Sequence, residues 1–302
     1  MNEHFSFNKN FQSGIDENGI PIKGDPETFY GTGIVVFIDL LGFSAYTLNN
    51  WGDNRYSPIM KLLRIKEAPS VSDPDYRIKF GIYSTDSSGE PIYHYQYRCK
   101  IRSFSDSVFL FTAIPANYDS EALFLAFHSI FRASISIWLN AIEEGFTVRG
   151  GLELGDIFWN SEEIIGPAFI WAHELEKHAK TSRIIIGERF INTLLFTINN
   201  LSKIQNPRNV GEDILPFLMK SVDDFISLNS RFLAHGMKNE MKKEDVIKRI
   251  KELQAACVDE RLQEKYDELI LTLCEPEKVV IPQKQDLECY LNILKKSRKY
   301  QI

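Results

Sequence analysis

Cysteine is scarce in this chain, and positive charge is not in excess. The four cysteines, at 99, 257, 274 and 289, form no C-x-x-C pair. That excludes a zinc ribbon or thioredoxin-like motif and fits free thiols in a reducing cytosol. Lys and Arg number 35 against 41 Asp and Glu, a net charge of −6. A protein built to coat nucleic acid carries the opposite balance. Uninterrupted apolar runs of membrane-spanning length are also missing. The most apolar stretch, 123–142, is broken by His128, Arg132 and Asn140, so it reads as a core helix rather than a span. The opening MNEHFSFNKNFQ lacks the apolar centre of a signal peptide, and the expectation is a cytoplasmic protein with no nucleic-acid partner and no membrane span. No internal repeat or low-complexity segment occurs.

What is present is the composition of an ordinary globular protein. The 302 residues are 44% hydrophobic and 25% charged, enough to bury a full core without disulfides. Residues 1–30 read as a loop-rich arm with Gly14, Gly19, Pro21, Gly24 and Pro26. Ile34–Ile38 is a β-branched and aromatic run, the composition of a strand buried on both faces. Phe43 to about Asn50 starts a helix, and a short helix near 57–66 sits in a proline-punctuated connection. Tyr93–Phe104 and Val108–Ile114 flank Ser105-Asp106-Ser107 and predict a β-hairpin. Asp119–Glu144 has a helical apolar period, Phe146–Leu154 is strand-like, and Gly166-Pro167 opens a helix to about Lys180. Ser182–Ile186 reads as a strand and Glu188–Asn199 as a helix. The order β-α-β-β-α-β predicts an α+β, ferredoxin-like (split βαβ) fold with extra C-terminal helices. Beyond about 205 strand-like runs almost vanish, and 205–302 reads as a helical appendage joined by a linker at 199–212.

Two acids stand out. Asp39 ends a buried strand and is followed by Gly42, whose lack of a side chain lets backbone N–H groups approach a phosphate. It reads either as a metal ligand or as a cap of the next helix. Asp106 lies at a hairpin tip, where an Asp is commonly turn chemistry. In a split βαβ sheet the first strand lies beside the central hairpin, so the two carboxylates converge at one edge. Such a pair can hold two divalent ions roughly 3.5–4 Å apart, the apparatus of phosphoryl or nucleotidyl transfer.

These residues carry a resemblance. Phe37–Ser44 resembles the F-x-D-hydrophobic-x-G-F-[ST] motif of class III nucleotidyl cyclases, and Ile101–Asp106 resembles the hairpin bearing that family's second metal-binding Asp. Arg149-Gly150-Gly151-Leu152, Gly155, Gly166-Pro167-Ala168 and Ala172-x-x-Leu175-Glu176 look like its second half. The spelling is most similar to the pyrimidine cyclases of bacterial Pycsar antiphage systems and covers about 33–190. The resemblance implies a cyclase domain over 31–204 and cyclisation of UTP or CTP to a 3′,5′-cyclic monophosphate with release of pyrophosphate. It implies two divalent cations, Mn²⁺ or Mg²⁺, on Asp39, Asp106 and the Leu40 carbonyl. Backbone N–H groups of Leu41, Gly42, Phe43 and Ser44 would hold the triphosphate. A homodimer with sites at its seam is implied, and a product read by a separate effector protein. By position, Arg102 and Glu163 fall where the family reads the base. Arg102 matches neither the adenine nor the guanine solution; as a fork of donors it suits pyrimidine acceptors, or it is a solvated strand residue.

The chain departs from the family pattern in one helix. The usual Asn position is Ile170 and the usual Arg position is Glu174. Charge developing in the transition state needs a cation, and the sequence offers Arg149, Lys177, Lys180, His173 and Arg183 as substitutes. Arg149 and Lys177 are the catalytic candidates beside the acid pair; the lysines equally fit a solvated helix face. Asp156 reads as a turn residue. A purine cyclase and a catalytically silent nucleotide-binding module remain as other readings.

Overall fold

The computed structural model describes residues 29–52, 57–66, 84–85, 91–92, 99–114, 120–160, 162–201, 214–221, 223–234, 243–256 and 260–297. Positions 1–28 of the expected arm and much of the connection at 50–92 lie outside them, as do positions 93–98 of the expected hairpin, while Phe29 and Tyr30, expected in the arm, begin the first strand. The chain is a mixed α+β structure around one main sheet. Its first strand, β1 (Phe29–Leu41), leads into helices α1 (Phe43–Asn50) and α2 (Pro58–Lys66). A two-residue pair, β2 (Ser84–Thr85) and β3 (Pro91–Ile92), stands apart. The hairpin follows as β4 (Lys100–Phe104) and β5 (Ser107–Ala113), then α3 (Ser120–Glu144) and β6 (Thr147–Trp159). Next come β7 (Ile164–Ile165), α4 (Pro167–His178), β8 (Ile184–Ile186) and α5 (Glu188–Leu201). The C-terminal third holds β9 (Leu218–Lys220), β10 (Ile226–Leu228), α6 (Lys243–Ala256), α7 (Glu260–Cys274) and α8 (Lys284–Ser297).

The sheet order is β4-β5-β1-β6-β8-β10-β9. Its first four strands are the split βαβ arrangement: β1 is central and antiparallel to both β5 and β6. Alternation along β1 sends Ile34, Val36, Ile38 and Leu40 to one face and Val35, Phe37 and Asp39 to the other. The first set joins the large core with Trp138, Phe127 and Phe131 of α3 and Phe190 of α5. The 123–142 stretch is thus a core helix, and among the described residues no helix is long and apolar enough to cross a membrane.

Among the described residues the second face is covered by α4, which packs Ala168 and Ala172 against Val35, Phe37, Phe111 and Ile157. Glycine makes this close approach possible. A Cβ on Gly151 would overlap the Ala172 carbonyl oxygen, and one on Gly155 would lie 2.9 Å from the Trp171 ring.

The C-terminal third corrects the expectation of a tail almost without strands. β9 and β10 extend the main sheet past β8, and Val280 bridges to Lys220. Each new strand is three residues long, too short for alternation to register in sequence. Ile214, Leu218, Ile226, Leu287, Tyr290 and Leu291 are buried in the same core as α3, so this region is continuous with the rest.

Candidate functional site

The hairpin turn brings the two acids together. Asp39 faces Ser107 in the β1–β5 register, and the Leu40 N–H donates to the Asp106 carbonyl at 2.9 Å. The turn is made by Ser105 and Asp106, with Ser105 in the left-handed region at φ 55°. Asp106 thus sits in the turn its local reading gives, whereas Asp39 does not follow its own. Helix α1 is entered through Gly42 at φ 88° with no side-chain cap, so Asp39 is not the helix cap. Asp106 accepts a hydrogen bond from the Ser44 hydroxyl in the first turn of α1, which ties the hairpin tip to the helix. The first helical hydrogen bond of α1 runs from the Tyr46 N–H to the Gly42 carbonyl. The N–H groups of Phe43, Ser44 and Ala45 therefore lie outside the intrahelical ladder at the positive end of the helix. Phe43 anchors this turn, buried edge-on against Phe146, and Leu41 is the last residue of β1.

Arg149 sits directly opposite Asp39 on β6. Its Nε donates to Asp39 Oδ2 at 3.1 Å and lies 2.5 Å from Glu176 Oε1 on α4. Burial raises the Asp39 pKa above the ordinary carboxylate value. Arg149 opposes that rise, the like charge of Asp106 adds to it, and Lys265 of α7 lowers it through space. The Glu176 pKa is also raised by burial, with Arg149 opposing. Asp39 and Glu176 thus share one guanidinium, and burial raises the pKa of both. A divalent cation relieves that stress. The donors are carboxylate and main-chain oxygen with no thiol or imidazole, the set that suits Mg²⁺ or Mn²⁺. Among the described residues no group of three or more His, Cys, Asp or Glu gathers as a metal site. The pair would depend on main-chain oxygen and the ligand's own phosphates to complete the shell.

The other sequence candidates fall in two groups. Arg102 and Glu163 come together at one turn. The Arg102 Nη2 donates to the Asn160 carbonyl at 3.0 Å, the Asn160 N–H donates to the Glu163 carbonyl at 3.0 Å, and the Glu163 N–H donates to Asn160 Oδ1 at 2.6 Å. Both side chains are exposed. Among the described residues no contact joins Lys177 to the acids; it is exposed and ion-paired to Glu174 at 2.6 Å. His173 packs its ring 4.7 Å from Phe37, Lys180 lies past the end of α4, and Asp156 is exposed. Arg183 is no phosphate ligand. It is buried, with Asp223 at 2.5 and 2.7 Å and Glu268 at 3.5 Å.

Two residues escaped the sequence reading of the site. Glu176 had a signal: it continues the buried stripe Ala168, Ala172, Glu176 at four-residue spacing, and a carboxylate on such a stripe demands a cation. Lys265 had none, lying in a Lys/Glu-rich amphipathic helix.

An apolar cleft of 540 Å³ adjoins the pair. Phe43, Ser44, Thr47, Trp51, Ile59 and Ser105 line it, between α1, α2 and the hairpin tip.

No known family's sequence profile matches the chain, and no curated protein matches it by sequence. Solved structures do. One is a class III adenylyl cyclase-like ATP-binding protein from Pseudomonas aeruginosa, at 13% identity and TM-score 0.39, covering 61% of this chain and 40% of that one. Another is the catalytic core of a rhodopsin-guanylyl cyclase with converted specificity in complex with ATPαS, at 13% identity and TM-score 0.37, covering 56% of this chain and 84% of that one. A third is a bacterial light-regulated adenylyl cyclase, at 13% identity and TM-score 0.30, covering 55% of this chain and 45% of that one. The match thus spans less than half of the first and third proteins. Chemistry is assigned from the acid pair and its surroundings.

Proposed function

We propose that this chain is a class III nucleotidyl cyclase, converting UTP or CTP to its 3′,5′-cyclic monophosphate and pyrophosphate. The observation that carries the reading is the meeting of Asp39 and Asp106 beside Arg149 at the N-terminus of α1. Asp39, Asp106 and the Leu40 carbonyl would hold the cations. When bound, these ions supply acidification of the ribose 3′-hydroxyl and neutralisation of the triphosphate. The amides of Phe43 and Ser44, outside the intrahelical ladder, and the Arg149 guanidinium would receive phosphate oxygens. In the reaction the O3′–Pα bond forms and the bond from Pα to the β-phosphate oxygen breaks. The bonding pair leaves on pyrophosphate, and the hydroxyl proton passes to water.

Base choice rests on Arg102 and Glu163. Their linkage through Asn160 supports a shared role, and their exposure suits reading a nucleotide held by a second protomer of a homodimer. The cyclic product would act as a second messenger in antiphage defence, read by a separate effector. Purified protein incubated with each of the four ribonucleoside triphosphates and Mn²⁺ should yield cUMP or cCMP by chromatography, and Asp39→Ala, still folded, should yield none. A product from ATP or GTP overturns the pyrimidine assignment. No product from any nucleotide overturns the cyclase.

A second reading has one observation behind it. Ile170 is exposed where the related family places Asn, and Glu174, in place of Arg, is tied to Lys177. A chain that binds nucleotide without turning it over fits this, and Asp39→Ala would then leave its biological effect intact.

A further inference from the structure

The proposed reaction lacks a cation. Arg149 is shared between Asp39 and Glu176, Lys177 is held by Glu174, and Arg183 is held by Asp223 and Glu268. A triphosphate entering beside three carboxylates meets one guanidinium already engaged twice.

The C-terminal third brings another positive charge to this edge. Helix α7 is fastened to the loop between α4 and β8. The Ser182 N–H donates to the Lys265 carbonyl at 2.8 Å, the Thr181 hydroxyl to Glu268 at 2.6 Å, and Arg183 pairs with Glu268. Ser182 in turn donates its hydroxyl to the Val148 carbonyl at 3.0 Å. Val148 faces Leu40 in the β1–β6 register, next to the Arg149–Asp39 pair. Two hydrogen bonds and one strand pairing therefore connect Lys265 to the carboxyl end of β1. The Lys265 side chain is half-buried, and among the described residues it has no ion-pair partner. The acids around it on α7 are otherwise occupied or turned outward: Glu268 is bound as above, Asp267 accepts from Gln254, and Glu264 is exposed.

We propose that Lys265 is a phosphate-binding residue of the site, its ammonium carried by α7 to the triphosphate of a nucleotide held at Asp39 and Asp106. This rests on the cyclase reading and adds that the C-terminal helices complete the site. The ammonium is a compact donor of three hydrogen bonds. It would offset charge on the pyrophosphate leaving group that Arg149, committed to two acids, serves incompletely.

The test uses the full chain and its Lys265→Met and Lys265→Arg variants. The backbone bond from Ser182 goes to the Lys265 carbonyl and survives either change. Inorganic tripolyphosphate and UTP are titrated calorimetrically with Mg²⁺ present, and Mn²⁺ is titrated alone. The expected result is a loss of roughly tenfold or more in tripolyphosphate affinity for Lys265→Met, the scale of one charge-assisted hydrogen bond. Lys265→Arg should recover most of it, and Mn²⁺ affinity should hold or rise. Equal tripolyphosphate binding by wild type and Lys265→Met overturns the inference while leaving the cyclase reading standing. A lysine that merely balances Asp39 gives that result, with only Mn²⁺ affinity changed. Failure of the wild type to bind either phosphate compound with metal overturns both.

Discussion

Glu153 shows how one side chain can carry a pH dependence of the whole fold. It lies on β6 in the interior, where its carboxylate accepts the N–H groups of Leu154 and Phe190 at 2.9 Å each. Burial nevertheless raises its pKa to about 7, with those N–H groups opposing the rise. The folded state therefore keeps a proton that the unfolded chain has released. With the folded value above the unfolded one, the folded state binds more protons between them, and stability falls as pH rises from about 4.5 to about 7. The span corresponds to about 3 kcal/mol for this group. Glu153→Gln keeps an acceptor for the same N–H groups and removes the titration. Urea denaturation at pH 5 and pH 7.5 should show a smaller difference in the variant than in the wild type. At this scale the sequence was informative where a residue type was costly in its surroundings. Asp39 at the end of a buried strand stood out because an acid there needs a reason, and Asp106, ordinary at a hairpin tip, drew notice only as its neighbour across the sheet. Lys265 was not legible, because a lysine on an amphipathic surface helix is ordinary until the fold fastens that helix to the loop before β8.

The decisive element is α4. Its small-residue stripe lies on the glycines of β6, and that intimacy delivers Glu176 to Arg149. Gly151→Ala drives a methyl into the backbone of Ala172 and Glu176. The helix must lift, and the expected cost is about 3 kcal/mol, measured by equilibrium denaturation. The Arg149–Glu176 contact should be lost with it. Periodicity read α3, which is long enough to show its repeat, while α4 was read from Gly166-Pro167 and the first strand from its β-branched and aromatic composition. It failed for β9 and β10, whose three residues each are fixed by neighbours rather than by their own pattern.

At the scale of the molecule, Arg183 fastens the C-terminal third to the sheet. It is 4% exposed and serves Asp223 and Glu268 together. Although burial acts against ionisation of Asp223, the hydrogen bonds and charge of Arg183 hold its pKa below the ordinary value. That support is present above the unfolded pKa and fades as the solution is acidified through the folded one. Arg183→Met strands two acids, one of them well buried, and should cost about 3 kcal/mol or more. Limited proteolysis should then cut first within 214–297. The cost extends beyond stability, because the same fastening sets the position of α7. The Tyr290 hydroxyl donates to the Ile186 carbonyl at 2.8 Å, and Leu287, Tyr290 and Leu291 fill the interior under β8. A truncation at 204, the boundary that motif coverage invites, would lay bare the flank of β8 and the greasy floor beneath it. Such a fragment should come out of cells as aggregate, and attempts to define a minimal working unit should begin from the intact polypeptide.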